Sequence, residues 1–168
     1  MTTPETLAAL ATAIEAEKQS LRAYLQLGWN THDAVGKQMF IRLATDEFEH
    51  MRLLETWPGD QQATAAIEAS TIEHLVPRLS DRSLRIRGTE GQNQLSALQA
   101  ALELERSAQA FYAESARKAQ AGPARAVFTR LAEMEGAHYA LIQAEIDNIQ
   151  ETGFWFGLRE FTLESERS

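Results

Sequence analysis

Cysteine is absent from the 168 residues. That excludes a disulfide framework, a thiolate zinc site and an iron–sulfur centre. Proline occurs only four times. The long stretches it leaves are rich in Ala, Leu, Glu, Gln and Arg, a composition that favours helix over sheet. An excess of basic residues is also missing. The net charge is −8, so no nucleic-acid footprint is expected. Acidity keeps a chain soluble and says little else about partners. No apolar run is long enough to span a bilayer, so no membrane role is expected. The N-terminal MTTPETLAAL lacks a basic region followed by an apolar run, so no signal peptide is expected. The cytoplasm is the default address. The length suits one domain over residues 1–168 with a real core.

What is present is helical periodicity. Thr3-Pro4-Glu5 reads as a helix start: a capping hydroxyl, proline in the first turn, then an acid at the positive dipole end. Leu7, Leu10, Ile14, Glu17, Leu21, Tyr24 and Gly28 follow at steps of three and four, the spacing of a bundle seam. The pattern fades at the polar turn from Trp29 to Asp33. It resumes with Gly36, Phe40, Leu43, Glu47, His50, Leu54 and Trp57, and Pro58-Gly59 ends it. A third seam carries Leu95, Leu98, Leu102, Glu105, Gln109, Tyr112 and Ala116. After Gly122-Pro123 the fourth carries Ala124, Phe128, Leu131, Glu135, His138, Ile142 and Ile149. Two short turns predict two antiparallel hairpins, about 4–57 and 94–150. The long connection between them holds one weakly helical piece, Ala65 to Val76, stopped by Pro77. The expected fold is an all-α four-helix bundle with a long crossover between helices 2 and 3.

A shift of 88 residues aligns the two hairpins without a gap. Between residues 7 and 56, 14 of 50 positions are identical, where composition alone would give about a third of that. Glu17 meets Glu105, Tyr24 meets Tyr112, Glu47 meets Glu135, and His50 meets His138. This predicts a pseudo-two-fold bundle.

Glu47 and His50 stand three residues apart, as do Glu135 and His138. On an α-helix that spacing puts both side chains on one face, one turn apart. If four seams converge, four carboxylates and two imidazoles meet in one core. Buried carboxylates left dry and unpaired each cost several kcal/mol. They must be protonated, paired with cations, or bound to metal. The seams carry no Lys or Arg near that level, and two divalent ions would neutralise four carboxylates. Oxygen and imidazole donors without thiolate suit iron or manganese, with zinc able to intrude. One Glu from each of two helices plus Glu-x-x-His from the other two is the di-iron carboxylate arrangement. A single Glu-x-x-His is more often a solvated coincidence. Two in register, each with a matched seam glutamate, are not.

The chain resembles the rubrerythrin family of the ferritin-like superfamily. The resembling residues are Glu17 with Tyr24, Glu47-Phe48-Glu49-His50, Glu105 with Tyr112, and Glu135-Gly136-Ala137-His138, together with the tail ETGFWFGLREF. The resemblance implies a di-iron centre of two iron ions, manganese being possible, held by Glu17, Glu47, His50, Glu105, Glu135 and His138. Through that centre the same six residues would carry catalysis. It leaves open whether Glu47 and Glu135 bridge the ions or Glu17 and Glu105 do. It implies reduction of hydrogen peroxide, or reaction with dioxygen. Members with a rubredoxin domain bind its iron through four cysteines. This chain has none, so electrons are expected from a separate redox donor protein, and a homodimer is expected. Relatives carry a further carboxylate one turn after the third-helix ligand. Here that position is Ala108 and its repeat mate is Ser20. This weakens the peroxidase reading and leaves room for a ferroxidase or iron-storage role. A helical interaction module with a vestigial site is the third reading.

Tyr24 and Tyr112 read as core packing with satisfied hydroxyls, the sharper alternative being a hydrogen bond to a ligand. Asp46 or Glu133-Met134 lie where they could accept the outer N–H of a ligating imidazole. His32 and His74 read as exposed. Arg42 and Arg130 repeat off the seams, with surface or site-supporting roles both open. Phe154 to Phe161 is too apolar for a free tail and is expected to pack on the bundle or a second subunit.

Overall fold

A computed structural model describes residues 3–56 and 90–155, with side chains for all of these except 90–93. Four helices account for nearly all of it: α1 Pro4–Asn30, α2 Ala34–Glu55, α3 Glu90–Lys118 and α4 Pro123–Thr152. The expected crossover, its helical piece at Ala65 to Val76, His74 and the Trp57-Pro58-Gly59 stop lie outside the described residues. So does the aromatic tail beyond Trp155.

The helix ends follow local chemistry. Thr3 caps α1, its side chain accepting from Thr6 N–H at 3.2 Å, with Pro4 next. Asp33 caps α2, accepting from the N–H groups of Val35 at 2.8 Å and Gly36 at 3.0 Å. A carboxylate there satisfies orphan donors and meets the positive dipole end. The turn Thr31-His32-Asp33 is therefore so short that α1 and α2 fold back as neighbours. His32 is exposed. Pro123 opens α4, and Gly153, at φ 79°, closes it in the left-handed region that glycine enters freely.

α1 packs on α2 and α3 on α4, and the two hairpins meet through α1 with α3 and α2 with α4. The core holds Leu10, Ile14, Phe40, Leu43, Leu54, Leu98, Leu131 and Ile142. The seams of α1, α2 and α4 face inward much as their spacing predicts. α3 is rotated from expectation. Ala97 and Ala101 are buried where Leu95 and Leu102 are only half-buried, and Gln109 is exposed. Its small residues turn inward at positions matching Ala9 and Ala13 of α1, and Ala13 and Ala101 are both fully buried. Small residues at an interface let a neighbouring helix pack closely. α3 begins at Glu90, four residues before expectation, and α4 ends two residues after it.

Part of the C-terminal aromatic segment does pack. Trp155 sets its ring edge-on against Phe40, centroids 5.9 Å apart, and its indole N–H donates to Gln94 Oε1 at 3.2 Å. Gly36 makes room for it: a Cβ there would stand 2.6 Å from the indole. Phe154 is exposed.

Candidate metal centre

The side chains of Glu17 from α1, Glu47 and His50 from α2, Glu105 from α3, and Glu135 and His138 from α4 meet in the middle of the bundle. None is more than 2% exposed. They form two interlocked sets: Glu17, Glu47, His50 and Glu135, and Glu47, Glu105, Glu135 and His138. In each set one donor atom per residue lies within 4.8 Å of the others.

Glu47 and Glu135 belong to both sets, and their oxygens divide between them. His50 Nδ1 lies 3.7 Å from Glu47 Oε2 and 3.1 Å from Glu135 Oε1. His138 Nδ1 lies 3.2 Å from Glu47 Oε1 and 3.7 Å from Glu135 Oε2. Each of these glutamates thus offers one oxygen to each half. Glu17 and Glu105 serve one half each, with Glu17 Oε2 at 3.4 Å from His50 Nδ1 and Glu105 Oε2 at 3.5 Å from His138 Nδ1. The imidazole rings lie nearly parallel, 20° apart, with centroids separated by 5.3 Å.

The second oxygens of Glu17 and Glu105 are held from the opposite hairpin. Tyr24 donates its hydroxyl to Glu105 Oε1, and Tyr112 donates to Glu17 Oε1. The hydroxyls therefore act on the cluster itself, beyond the packing that the seam positions suggest. Asp46 Oδ2 stands 3.2 Å from His138 Nε2, and Arg42 Nε stands 3.6 Å from Asp46 Oδ1. Glu133, the other sequence candidate for such a role, points to solvent and pairs with Arg130 at 3.9 Å. Lys18 is buried beside Glu17 but turns to Glu15 at 3.0 Å.

The residues fit a metal pair. Glu17 Oε2, Glu47 Oε1, Glu105 Oε2, Glu135 Oε1 and His138 Nδ1 are buried without a hydrogen-bond partner among the described residues. Buried acceptors aimed at one another are costly until a cation sits between them. All the donors are carboxylate oxygen or imidazole nitrogen, a set suited to iron or manganese.

The rubrerythrin family model matches residues 8–146 of this chain. The chain belongs to the rubrerythrin family. Like the family, it has the ferritin-like bundle. A solved structure from Anabaena variabilis, described as a two-domain protein with DJ-1/ThiJ/PfpI-like and ferritin-like domains, superimposes with a TM-score of 0.69 at 16% identity. The match covers 94% of this chain and 43% of that one, so this chain spans less than half of its length. No curated protein matches.

Without metal, this rubrerythrin-family centre keeps its charge low by holding protons. Burial, then the neighbouring Glu135 carboxylate, pushes Glu47 well up from its ordinary range. Burial pushes Glu105 up to about 8. Burial acts on Glu135 in the same sense, but hydrogen bonds from His138 and His50 outweigh it and hold that carboxyl down. Burial opposes charge on His138, yet its contacts with Asp46, Glu105, Glu135 and Glu47 raise its proton affinity. Burial followed by nearby carboxylates pushes both tyrosine ionisations far up, so both phenols keep their protons.

Proposed function

We propose that this chain is a two-metal oxidoreductase that reduces hydrogen peroxide to water with electrons from a separate donor protein. The observation that supports it most is the division of Glu47 and Glu135, each giving one oxygen to each half of the cluster. Carboxylates so placed are built to bridge two cations. Glu47 and Glu135 would then serve both ions, and Glu17 and Glu105 one each.

Redox-active ions held by Glu17, Glu47, His50, Glu105, Glu135 and His138, iron in the first place, would supply one electron each, and two electrons with two protons convert one peroxide into two waters. The chain's own residues set the conditions. The four buried carboxylates present anionic oxygens that favour the oxidised charge state. Tyr24 and Tyr112 keep their hydroxyl protons and always donate, so Glu105 and Glu17 each hold one oxygen outward and one toward the site. Asp46 accepts from His138 and keeps Nδ1 of that ring facing inward. The bundle core keeps bulk water away.

The second reading, oxidation of ferrous iron by dioxygen, rests on Ala108. It packs half-buried against the core at the position where relatives carry a further carboxylate. Elemental mass spectrometry on protein purified without added metal or chelator tests the first point. About two iron or manganese ions per chain are expected from a two-metal centre. Anaerobic loading with ferrous iron followed by rapid mixing tests the second. Faster oxidation by peroxide, with one peroxide used per two ferrous ions, supports the proposal. Faster oxidation by dioxygen with a growing ferric mineral favours the second reading. Absence of both bound metal and ferrous uptake would sink both.

A further inference from the structure

The repeat that builds the centre changes character in the wall beside two of the ligands. The 88-residue shift carries Leu21 onto Gln109 and Phe48 onto Gly136. In the first hairpin these positions are apolar: Leu21 is buried, and Phe48 packs half-buried against the core. In the second hairpin Gln109 is exposed and Gly136 is half-buried. Both stand next to ligands. Gly136 directly follows Glu135, and Gln109 lies one turn after Glu105 on α3. The inner oxygens of those glutamates, Glu135 Oε1 and Glu105 Oε2, are buried without a hydrogen-bond partner among the described residues.

Glycine in the middle of a helix is destabilising relative to alanine, so Gly136 calls for a reason. Gln109 supplies it. Its Nε2 stands 2.5 Å from where a Cβ on Gly136 would be, so the carboxamide lies in the space that the missing side chain leaves. A polar group on a flexible, exposed stem thus covers α4 beside Glu135, where the repeat puts a leucine and a phenyl ring in the first hairpin. The two covers differ in what they let pass. Displacing Leu21 or Phe48 opens an apolar wall, which offers a hydrated ion nothing in exchange for its water. Gln109 can swing into solvent without uncovering apolar surface of its own. Its carboxamide oxygen is also a cation ligand that can replace a water of hydration in passing.

We propose that Gln109 and Gly136 form the gate through which hydrated divalent ions reach the buried cluster, with the Gln109 carboxamide as its moving part. Ions enter between α3 and α4 and meet Glu105 and Glu135 first, while the first hairpin stays closed. The inference rests on the two-metal reading above and adds a route of entry to it.

The test is anaerobic rapid mixing of the metal-free full chain with Co²⁺, read by visible absorption of the bound ion, followed by release of the ion into excess EDTA. Calorimetric titration gives the equilibrium affinity. A gate sets how fast ions enter and leave and does not set how tightly they are held. Gln109→Ala removes the cover and should speed both uptake and release by about tenfold, equivalent to about 1.4 kcal/mol of barrier. Gln109→Leu puts the first hairpin's residue in its place and should slow both. The affinity and the number of ions at saturation should stay the same in each variant. Gln109 is exposed, so both variants should fold, and Gln109→Ala decides the matter if the leucine variant does not. Unchanged uptake in Gln109→Ala, or an affinity that falls while uptake keeps its rate, would each overturn the inference. Binding of no Co²⁺ by the natural chain would instead remove the two-metal reading on which the inference stands.

Discussion

The phenols of Tyr24 and Tyr112 each end on a glutamate of the opposite hairpin, so their removal is felt at the centre. Tyr24→Phe leaves Glu105 Oε1 buried without its donor. A hydrogen bond to a charged group contributes about 1.5–3 kcal/mol, so ion affinity in that half should fall by about 10–100-fold at 1.4 kcal/mol per tenfold. The number of ions at saturation should stay the same, which calorimetric titration with Co²⁺ reads directly. Loss of all binding would show that the phenol does more than hold one oxygen. The seam spacing put both tyrosines inside the bundle, but it could not name their partners. Those depend on the register of one hairpin against the other, which no spacing along a single helix encodes. Asp46 is a similar case. It precedes Glu47 by one residue and so points about 100° away from it, which makes a contact with His138 a matter of how α2 meets α4. Glu47 with His50 and Glu135 with His138 were legible because three-residue spacing fixes a shared face, and Glu17 and Glu105 because they hold matching seam positions on α1 and α3. Their burial also has a cost in the metal-free chain. Glu47→Gln removes a buried carboxyl whose charge the core resists, so the metal-free variant should melt higher while its ion capacity falls. Function and stability oppose each other at such positions. A lower melting temperature for that metal-free variant would contradict this account.

At the scale of the helices, ends and axes follow different rules. Ends are local. Thr3-Pro4 and Gly122-Pro123 could be read directly, since capping and proline act within one turn. Asp33 was legible only as part of a polar turn, yet it makes two capping hydrogen bonds to α2. Asp33→Ala should cost about 1 kcal/mol, or about 2–4 °C in melting temperature for a chain of this size. Axes are not local. Gln109 holds a seam position by spacing but is exposed because α3 turns Ala97 and Ala101 inward. The face a helix turns inward depends on how it packs against its neighbours, and a hydrophobicity pattern along one helix does not report that. The end of the bundle near the α1–α2 turn shows the same dependence on a distant element. Gly36 is buried because Trp155, more than a hundred residues later, occupies the space where a Cβ would be. A Cβ at Gly36 would also stand 3.0 Å from the Thr31 methyl. Gly36→Ala should therefore displace the indole or strain the turn, costing about 1–3 kcal/mol. Tryptophan fluorescence and a thermal melt together read both effects. An unchanged melt with unchanged emission would mean that the indole does not sit against Gly36.

For the whole molecule, the centre joins the two hairpins and also sets how stability responds to pH and metal. Each hairpin packs within itself through adjacent helices, and the six buried polar side chains lie where the hairpins meet. In the metal-free chain, burial pushes Glu105 from 4.5 up to about 8, and Glu47 is raised as well. Between those values the folded chain keeps protons that the unfolded chain has released, so stability falls as pH rises. His138 acts in the same direction, because its carboxylate contacts raise its proton affinity in the folded state despite burial. Glu135 is held down. Its stabilising effect is complete once pH exceeds the unfolded value, so it adds no slope in this window. Metal reverses the trend. Ligands must lose protons to bind, so affinity grows with pH. An ion at 100 times its dissociation constant adds about 2.7 kcal/mol to the folded state. Scanning calorimetry across the range from pH 5 to pH 8, with and without Mn²⁺, should show two curves that diverge. The metal-free melting temperature should drop with rising pH, and the gap to the loaded protein should widen. A metal-free melt that climbs over the same range would mean that the four carboxylates are already charged and compensated by another group, and the case for a cation between them would lose its physical basis.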